Sequence, residues 1–200
     1  MRLVPVLLLI AVSAGAWNHF STRSISHGEG AVATQAPVQV DRALPPFFVE
    51  GYQITPAAEF SLEARVLSTE KYRIGREADL SPIDLALGWG PMSDSAVLDR
   101  LQISHGNRFY FYRWPDQPPI PLSDIVENSA NMHMIPASDE VKTRLDKVRV
   151  GQVVALSGYL VRVQAPDGWH WNSSMTRSDS GNGACELVWV ENLTVRGEEN

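Results

Sequence analysis

The chain has 200 residues, of which 44% are hydrophobic and 20% are charged, a balance typical of a globular protein and not of a fibrous or disordered one. Its 17 basic and 23 acidic residues give a formal net charge of −6, which argues against nucleic acid as a partner because such binding needs a basic surface. The single cysteine excludes an intrachain disulfide and a zinc site built from several cysteines, and no cofactor or metal is expected.

Residues 1–16 have the three-part pattern of a secretory signal peptide. Arg2 precedes an apolar run over residues 3–12, and four small residues follow at 13–16. The alternative is an uncleaved N-terminal anchor, although residues 3–17 would span only roughly 22 Å as a helix, against a hydrocarbon core of about 30 Å. Both interpretations predict a periplasmic or exported protein, or one anchored in the inner membrane and facing the periplasm. The membrane is then a partner only through this segment, and only if the segment is not cleaved.

Residues 17–46 are poor in large apolar side chains and rich in Ser, Gly, Ala, Gln and Pro. This composition predicts a flexible linker that ends at Pro45 and Pro46. Residues 47–200 are then expected to form a single β-barrel-like domain.

The first half of this domain is predicted to contain strands and short helices. Alternating apolar residues over 60–67 indicate a half-buried strand, which resumes after a turn at 68–69 and runs to Ile74. Ser81 is typical of a helix N-cap, with the helix ending at Gly88, and Ser93 offers the N-cap of a second helix. The aromatic run at 109–112 indicates another strand, which ends before Pro115.

The second half contains the clearest strand signals. A short strand over 131–135 would place Asn131 and His133 on one face, and a helix capped by Ser138 follows it. Gly158 lies in the middle of a long strand over 151–165, where it predicts a bend or bulge. Strands over 169–175 and 187–195 complete the domain. The elements predict a mainly β fold with short helices (α+β): a small, partly open β-barrel that is OB-like.

The densest polar segment, residues 173–186, separates two of these strands and allows two interpretations. One is a surface hairpin whose Asp179 and Asn182 make local turn hydrogen bonds. The other is a binding loop in which Arg177 holds a carboxylate or phosphate opposite Glu186. The candidate binding residues, with the two polar residues of the 131–135 strand included, are Asn131, His133, Ser174, Thr176, Arg177, Asp179 and Glu186.

Cys185 lies in the same segment and also allows two interpretations. A nucleophilic role needs a neighbouring base, which His133 or His170 could supply. Its position just before an apolar strand favours a small buried core residue. For His133 itself, a structural histidine is the alternative to a site residue.

Three stretches, residues 83–94, 129–137 and 173–186, resemble a family of exported or membrane-tethered bacterial proteins without an assigned activity. The most specific is the run Ser-Ser-x-Thr-Arg-x-Asp-x-Gly-x-Gly-Ala-Cys-Glu, and the resemblance covers roughly residues 55–195. It implies a bacterial envelope setting and no particular functional residue.

Together these features predict a non-catalytic binding module of the cell envelope, which recognises an envelope protein or a small polar ligand. One alternative is a hydrolase that uses His133 with Asp179 or Glu186 as acid and base. Another is a structural assembly protein in which the aromatic strand at 109–112 takes part in strand addition.

Overall fold

The computed structural model describes residues 23–42, 44–176 and 184–197. The predicted signal peptide or anchor therefore lies outside the described residues, as do residues 17–22 of the predicted linker.

Ten strands and four short α-helices are assigned within the described residues. The strands are β1 (Val38–Asp41), β2 (Phe47–Val49), β3 (Tyr52–Lys71), β4 (Ile83–Gly88), β5 (Gln102–Gly106), β6 (Phe109–Arg113), β7 (Ser129–Pro136), β8 (Val153–Gln164), β9 (His170–Asn172) and β10 (Glu186–Val195). The helices are α1 (Arg76–Leu80), α2 (Ser95–Leu98), α3 (Leu122–Glu127) and α4 (Asp139–Asp146), and a 3₁₀ turn spans Gly90–Ser93. Within the described part of the chain, no helix is long and apolar enough to cross a membrane.

Five strands form a ring in the order β3-β4-β7-β10-β8. The ring closes because β3, which is 20 residues long, pairs with β8 along one stretch and with β4 along another. Only β7 and β10 run parallel, and the other neighbours in the ring are antiparallel. Strands β1 and β2 pair with β3, β9 pairs with β8, and β5 and β6 form a separate hairpin. The prediction of a mainly β, partly open fold is confirmed.

The main hydrophobic core is built from the inward face of these five strands. Alternate residues of each strand point to this face, as the two-residue period of a strand requires. They include Phe60, Leu85, Met132, Leu156 and Val188, and α4 adds Val141 and Leu145. A second cluster lies on the other face of the sheet and includes Ile54, Ile135, Val163, Leu187 and Trp189.

At Gly158, in the middle of β8, the backbone of β10 leaves no space for a side chain. A Cβ atom at this position would lie 1.9 Å from the carbonyl oxygen of Trp189 on β10. The register between these strands shifts just beyond this point, between Val190 and Asn192. An irregularity in strand pairing, as predicted at Gly158, is therefore present beside this residue. A glycine is needed there because the backbone of β10 leaves no room for a side chain on β8.

The two helix starts predicted in the first half differ from the structure. Residues 83–88 form strand β4 and not a helix, and a short helix precedes them. All six residues of β4 are buried. A central strand buried on both faces lacks the polar alternation that would have distinguished it from a helix. The next helix is capped by Asp94, whose carboxylate accepts a hydrogen bond from the backbone N–H of Ala96 at 2.8 Å, and not by Ser93.

The described part of the predicted linker packs against the domain. Ala33 is fully buried, and Ile25 donates a backbone hydrogen bond to Val150. His27 contacts the carbonyl oxygen of Gly151 at 2.6 Å, and β1 adds four residues to the sheet. For residues 23–42 the expectation of a flexible linker is therefore wrong, since backbone pairing holds a segment whose side chains carry little apolar surface.

Candidate functional site

A pocket of about 460 Å³ opens on the face of β7 opposite the main core. Because Met132 and Met134 point into the core, His133 must point to the other face, as predicted from the strand period. The pocket is lined by Glu77, Asn107, Arg108, Phe109, His133, His170, Trp171, Asn172 and Cys185.

A buried carboxylate, that of Asp84, lies behind the pocket wall. Asp84 and His133 are register partners on β4 and β7, and the Asp84 side chain is fully buried. Its Oδ2 lies 3.0 Å from Nδ1 of His133, and its Oδ1 accepts a hydrogen bond from Nη1 of Arg108 at 2.7 Å. One carboxylate therefore positions two side chains of the pocket.

Arg108 is held from several sides at the tip of the β5–β6 hairpin. Asn107 and Arg108 both have left-handed backbone angles, with φ of 51° and 66°. Such a conformation is uncommon for arginine and persists only where surrounding contacts impose it. The guanidinium lies 3.8 Å from the ring centroid of Tyr72 and donates to the carbonyl of Ser81 at 2.9 Å. The side chain is 14% exposed, so the guanidinium is a pre-positioned donor at the pocket wall.

Cys185 lies at the pocket just before β10 and is partly exposed. Nδ2 of Asn131 is 3.6 Å from its Sγ and donates to the carbonyl oxygen of Arg108 at 2.8 Å. Oδ1 of Asn131 lies 2.7 Å from Nε2 of His105. Asn131 therefore joins the hairpin, a second histidine and the thiol on the same face of the sheet.

The two histidines of this region have opposite pKa shifts. Burial lowers the pKa of His133, but its contacts with Asp84 and with Cys185 outweigh burial and raise the pKa to about 9. Burial also lowers the pKa of His105, and there the contact with Asn131 does not outweigh it. At neutral pH His133 is therefore protonated and His105 is neutral.

The structure brings together only some of the residues proposed from the sequence. Asn131 and His133 lie in the region of the pocket, whereas Thr176 is exposed outside its lining. Glu186 pairs with Met132 in the parallel register, so its side chain faces away from His133. The carboxylate that contacts His133 belongs to Asp84. It does not belong to Glu186, which the hydrolase hypothesis offered as one partner of His133. Arg177 and Asp179 lie outside the described residues.

Ser173 and Ser174 connect the two described ends of the 173–186 segment. The backbone N–H of Ser174 donates to the carbonyl oxygen of Cys185 at 3.0 Å, and the hydroxyl of Ser173 accepts from the N–H of Leu187 at 3.0 Å. Both serines are buried. Ser174, proposed as a binding residue, thus helps to position the backbone of Cys185.

Asp84 and Arg108 were not predicted as site residues from the sequence. Asp84 is the only acidic residue in the apolar run at 83–88, and a charge at a buried strand position could have marked it. A hairpin turn between two strands is typical of the sequence Gly106, Asn107 and Arg108. That pattern does not show which other strand the tip of the hairpin contacts.

In the described part of the chain, no group of three or more His, Cys, Asp and Glu side chains is placed to hold a metal ion. Comparisons with protein-family models, with curated proteins and with solved structures gave no significant match. The resemblance stated from the sequence motifs, and the OB-like description of the fold, therefore stay predictions.

Proposed function

We propose that the protein is a binding module of the cell envelope that holds a small polar ligand in the pocket beside Arg108 and His133. The observation that carries the proposal is that one fully buried carboxylate, Asp84, positions both of these cationic groups at the pocket wall. The ring of five strands supports an OB-like scaffold, and the signal-like leader supports an envelope location.

The polar groups of the pocket favour a ligand with acceptor atoms. Arg108 can only donate hydrogen bonds, and His133, when protonated, also only donates. Glu77 carries the negative charge at the rim, where its Oε2 lies 3.9 Å from Nε of Arg108. A carboxylate is the acceptor that matches a guanidinium best, so a small carboxylate is the ligand class we favour.

The aromatic side of the pocket can cover an apolar part of such a ligand. Trp171 lies with its ring centroid 4.8 Å from that of His133, and the Arg108 guanidinium is 5.5 Å from the Trp171 ring. These contacts leave the donors few alternative rotamers, which lowers the entropy lost when a ligand binds. The pocket volume of about 460 Å³ suits a small molecule.

The test is a titration of the protein with succinate, citrate and inorganic phosphate, followed by tryptophan fluorescence, with uncharged succinamide as the control compound. Saturable binding of at least one carboxylate is expected, and R108Q should weaken it about 10- to 100-fold, the size of one charge-assisted hydrogen bond. R113Q is the matched control, because Arg113 is exposed at the opposite end of the same hairpin.

Circular dichroism of both variants checks that the fold is kept. The proposal fails if none of these anions binds saturably, or if R108Q and R113Q bind the same anion as tightly as the unchanged protein.

A further inference from the structure

We propose that Cys185 is a catalytic nucleophile and that the pocket transfers the acyl group of a small ester or thioester to water. The proposal rests on the side chains of Asp84, His133 and Cys185. Asp84 is fully buried, and His133 and Cys185 line the pocket. The proposal rests on the proposed function in one respect, since the same pocket would hold the acyl substrate. It adds a reaction that a binding module does not perform.

The position of Cys185 separates it from a cysteine that only fills the core. Its thiol lines the pocket and is partly exposed. The Sγ lies 3.6 Å from Nδ2 of Asn131 and 3.7 Å from the carbonyl oxygen of Arg108. The backbone of Cys185 is held by the N–H of Ser174. A thiol that is accessible and held by neighbours on each side has the placement a nucleophile needs.

His133 is the group that can exchange a proton with this thiol. Its Nδ1 lies 3.0 Å from the carboxylate of Asp84, and its ring lines the same pocket as Cys185. A nucleophilic cysteine needs a neighbouring group of this kind to take up and return a proton. His170 is the other possible base predicted from the sequence, but its side chain is exposed at the start of β9.

The charged and titratable groups that face His133 come from several elements. Asp84 of β4 and Cys185 favour its protonated form, while Arg108 at the hairpin tip shares the Asp84 carboxylate. His105 of β5 interacts with His133 from the hairpin side, and Glu77 of α1 lies at the pocket rim. Burial is the largest single influence on the pKa of His133 and lowers it, and the contact with Asp84 is the largest of the influences that raise it.

The reaction can be written with all atoms accounted for. The Cys185 thiolate attacks the acyl carbon, a C–S bond forms, the bond from carbon to the leaving oxygen or sulfur breaks, and His133 gives its proton to the leaving group. His133, which is neutral after giving up its proton, then accepts a proton from water. The oxygen of that water forms a bond to the acyl carbon of the thioester, the C–S bond breaks, and the carboxylic acid leaves while the thiolate and the imidazolium are restored.

The first experiment measures alkylation of Cys185 by iodoacetamide between pH 5 and pH 9, read by intact mass. H133Q should lower the rate at pH 6 at least 10-fold relative to the unchanged protein, because it removes the group that exchanges a proton with the thiol. H27Q is the matched control and should behave as the unchanged protein does, because His27 contacts the Gly151 carbonyl oxygen and does not line the pocket.

The second experiment uses 4-nitrophenyl acetate, a small activated ester. A burst of one nitrophenolate per chain and a thioester on Cys185 are expected, and C185A should lose both. C185A should still bind succinate if the proposed function holds, whereas R108Q should lose succinate binding. The two proposals can therefore fail separately.

Equal alkylation rates at pH 6 in H133Q and in the unchanged protein would overturn the catalytic proposal. The absence of a Cys185 adduct with the ester in the unchanged protein would overturn it as well, and that measurement needs no variant to fold.

Discussion

At the scale of single residues, His133 is held in a state that a histidine in water would not have at neutral pH. Its side chain is 5% exposed and it contacts the fully buried carboxylate of Asp84. A buried charge is costly unless it is paired, and here Asp84 serves as the partner of both His133 and Arg108. The three side chains therefore form one electrostatic unit in which removing any member leaves the others uncompensated.

This unit predicts that stability depends on pH. The pKa of His133 is raised in the folded protein to about 9, above the ordinary value of 6.5. Its contribution is therefore fully present below pH 6.5 and is lost as pH rises through 9. A shift from 6.5 to about 9 corresponds to at most about 3 kcal/mol of unfolding free energy.

Urea unfolding at pH 6 and at pH 10 measures this loss. The difference between the two pH values should be clearly smaller in H133Q, which cannot titrate at this position. Equal pH dependence in H133Q and in the unchanged protein would contradict the assignment of the effect to His133.

At the scale of elements, the fold depends on positions where two backbone segments lie so close together that no side chain fits between them. Gly158 is such a place, because a Cβ atom there would lie 1.9 Å from the Trp189 carbonyl oxygen. Strand β8 must pair with β3 on one edge and with β10 on the other, so it cannot move away from the contact without breaking a pairing. The glycine is therefore required by the closure of the ring.

We expect G158A to destabilise the protein by about 1–3 kcal/mol, the usual cost of forcing extra atoms into a packed region. G106A is the matched control, since Gly106 also lies in a strand but has open space where a Cβ would be. Thermal unfolding of the two variants measures the difference. Equal melting temperatures would show that β8 and β10 can separate locally without cost.

At the scale of the whole molecule, the segment before β2 is part of the folded unit. It reaches two distant places on the domain, since Ile25 bonds to Val150 while β1 pairs with β3 along residues 58–61. Gly151 makes room for it, because a Cβ at that position would lie 1.8 Å from the carbonyl oxygen of Ile25. Nη1 of Arg196, near the last described residues, donates to the carbonyl of Val32 at 2.8 Å.

A chain that begins at residue 44 should therefore be less stable than one that begins at residue 23. The loss of a whole strand and of the fully buried Ala33 predicts a decrease of at least about 2 kcal/mol in unfolding free energy. Urea unfolding of the two truncated chains measures it. Equal stabilities would mean that residues 23–42 act as the tether that their composition indicates.

The sequence predicted elements best where a single residue type or a strong alternation carried the signal. The strands at 60–67, 109–112, 131–135, 151–165 and 187–195 lie within or largely overlap strands of the structure, and Ser138 caps α4 as expected. The failures have a common cause. Strand β4 is buried on both faces and so has no alternation, and β1 is held by pairing that its polar composition does not reveal.

By itself, the sequence determined a mainly β fold, the face of β7 that carries Asn131 and His133, and the special position of Gly158, because these follow from local periodicity and backbone sterics. Only the tertiary structure decided what His133 contacts. Asp84, Arg108 and Cys185 are separated from it by 49, 25 and 52 positions along the chain, and strand pairing and the hairpin tip bring them to one pocket. Contacts of that range depend on strand order and register, which no local pattern specifies.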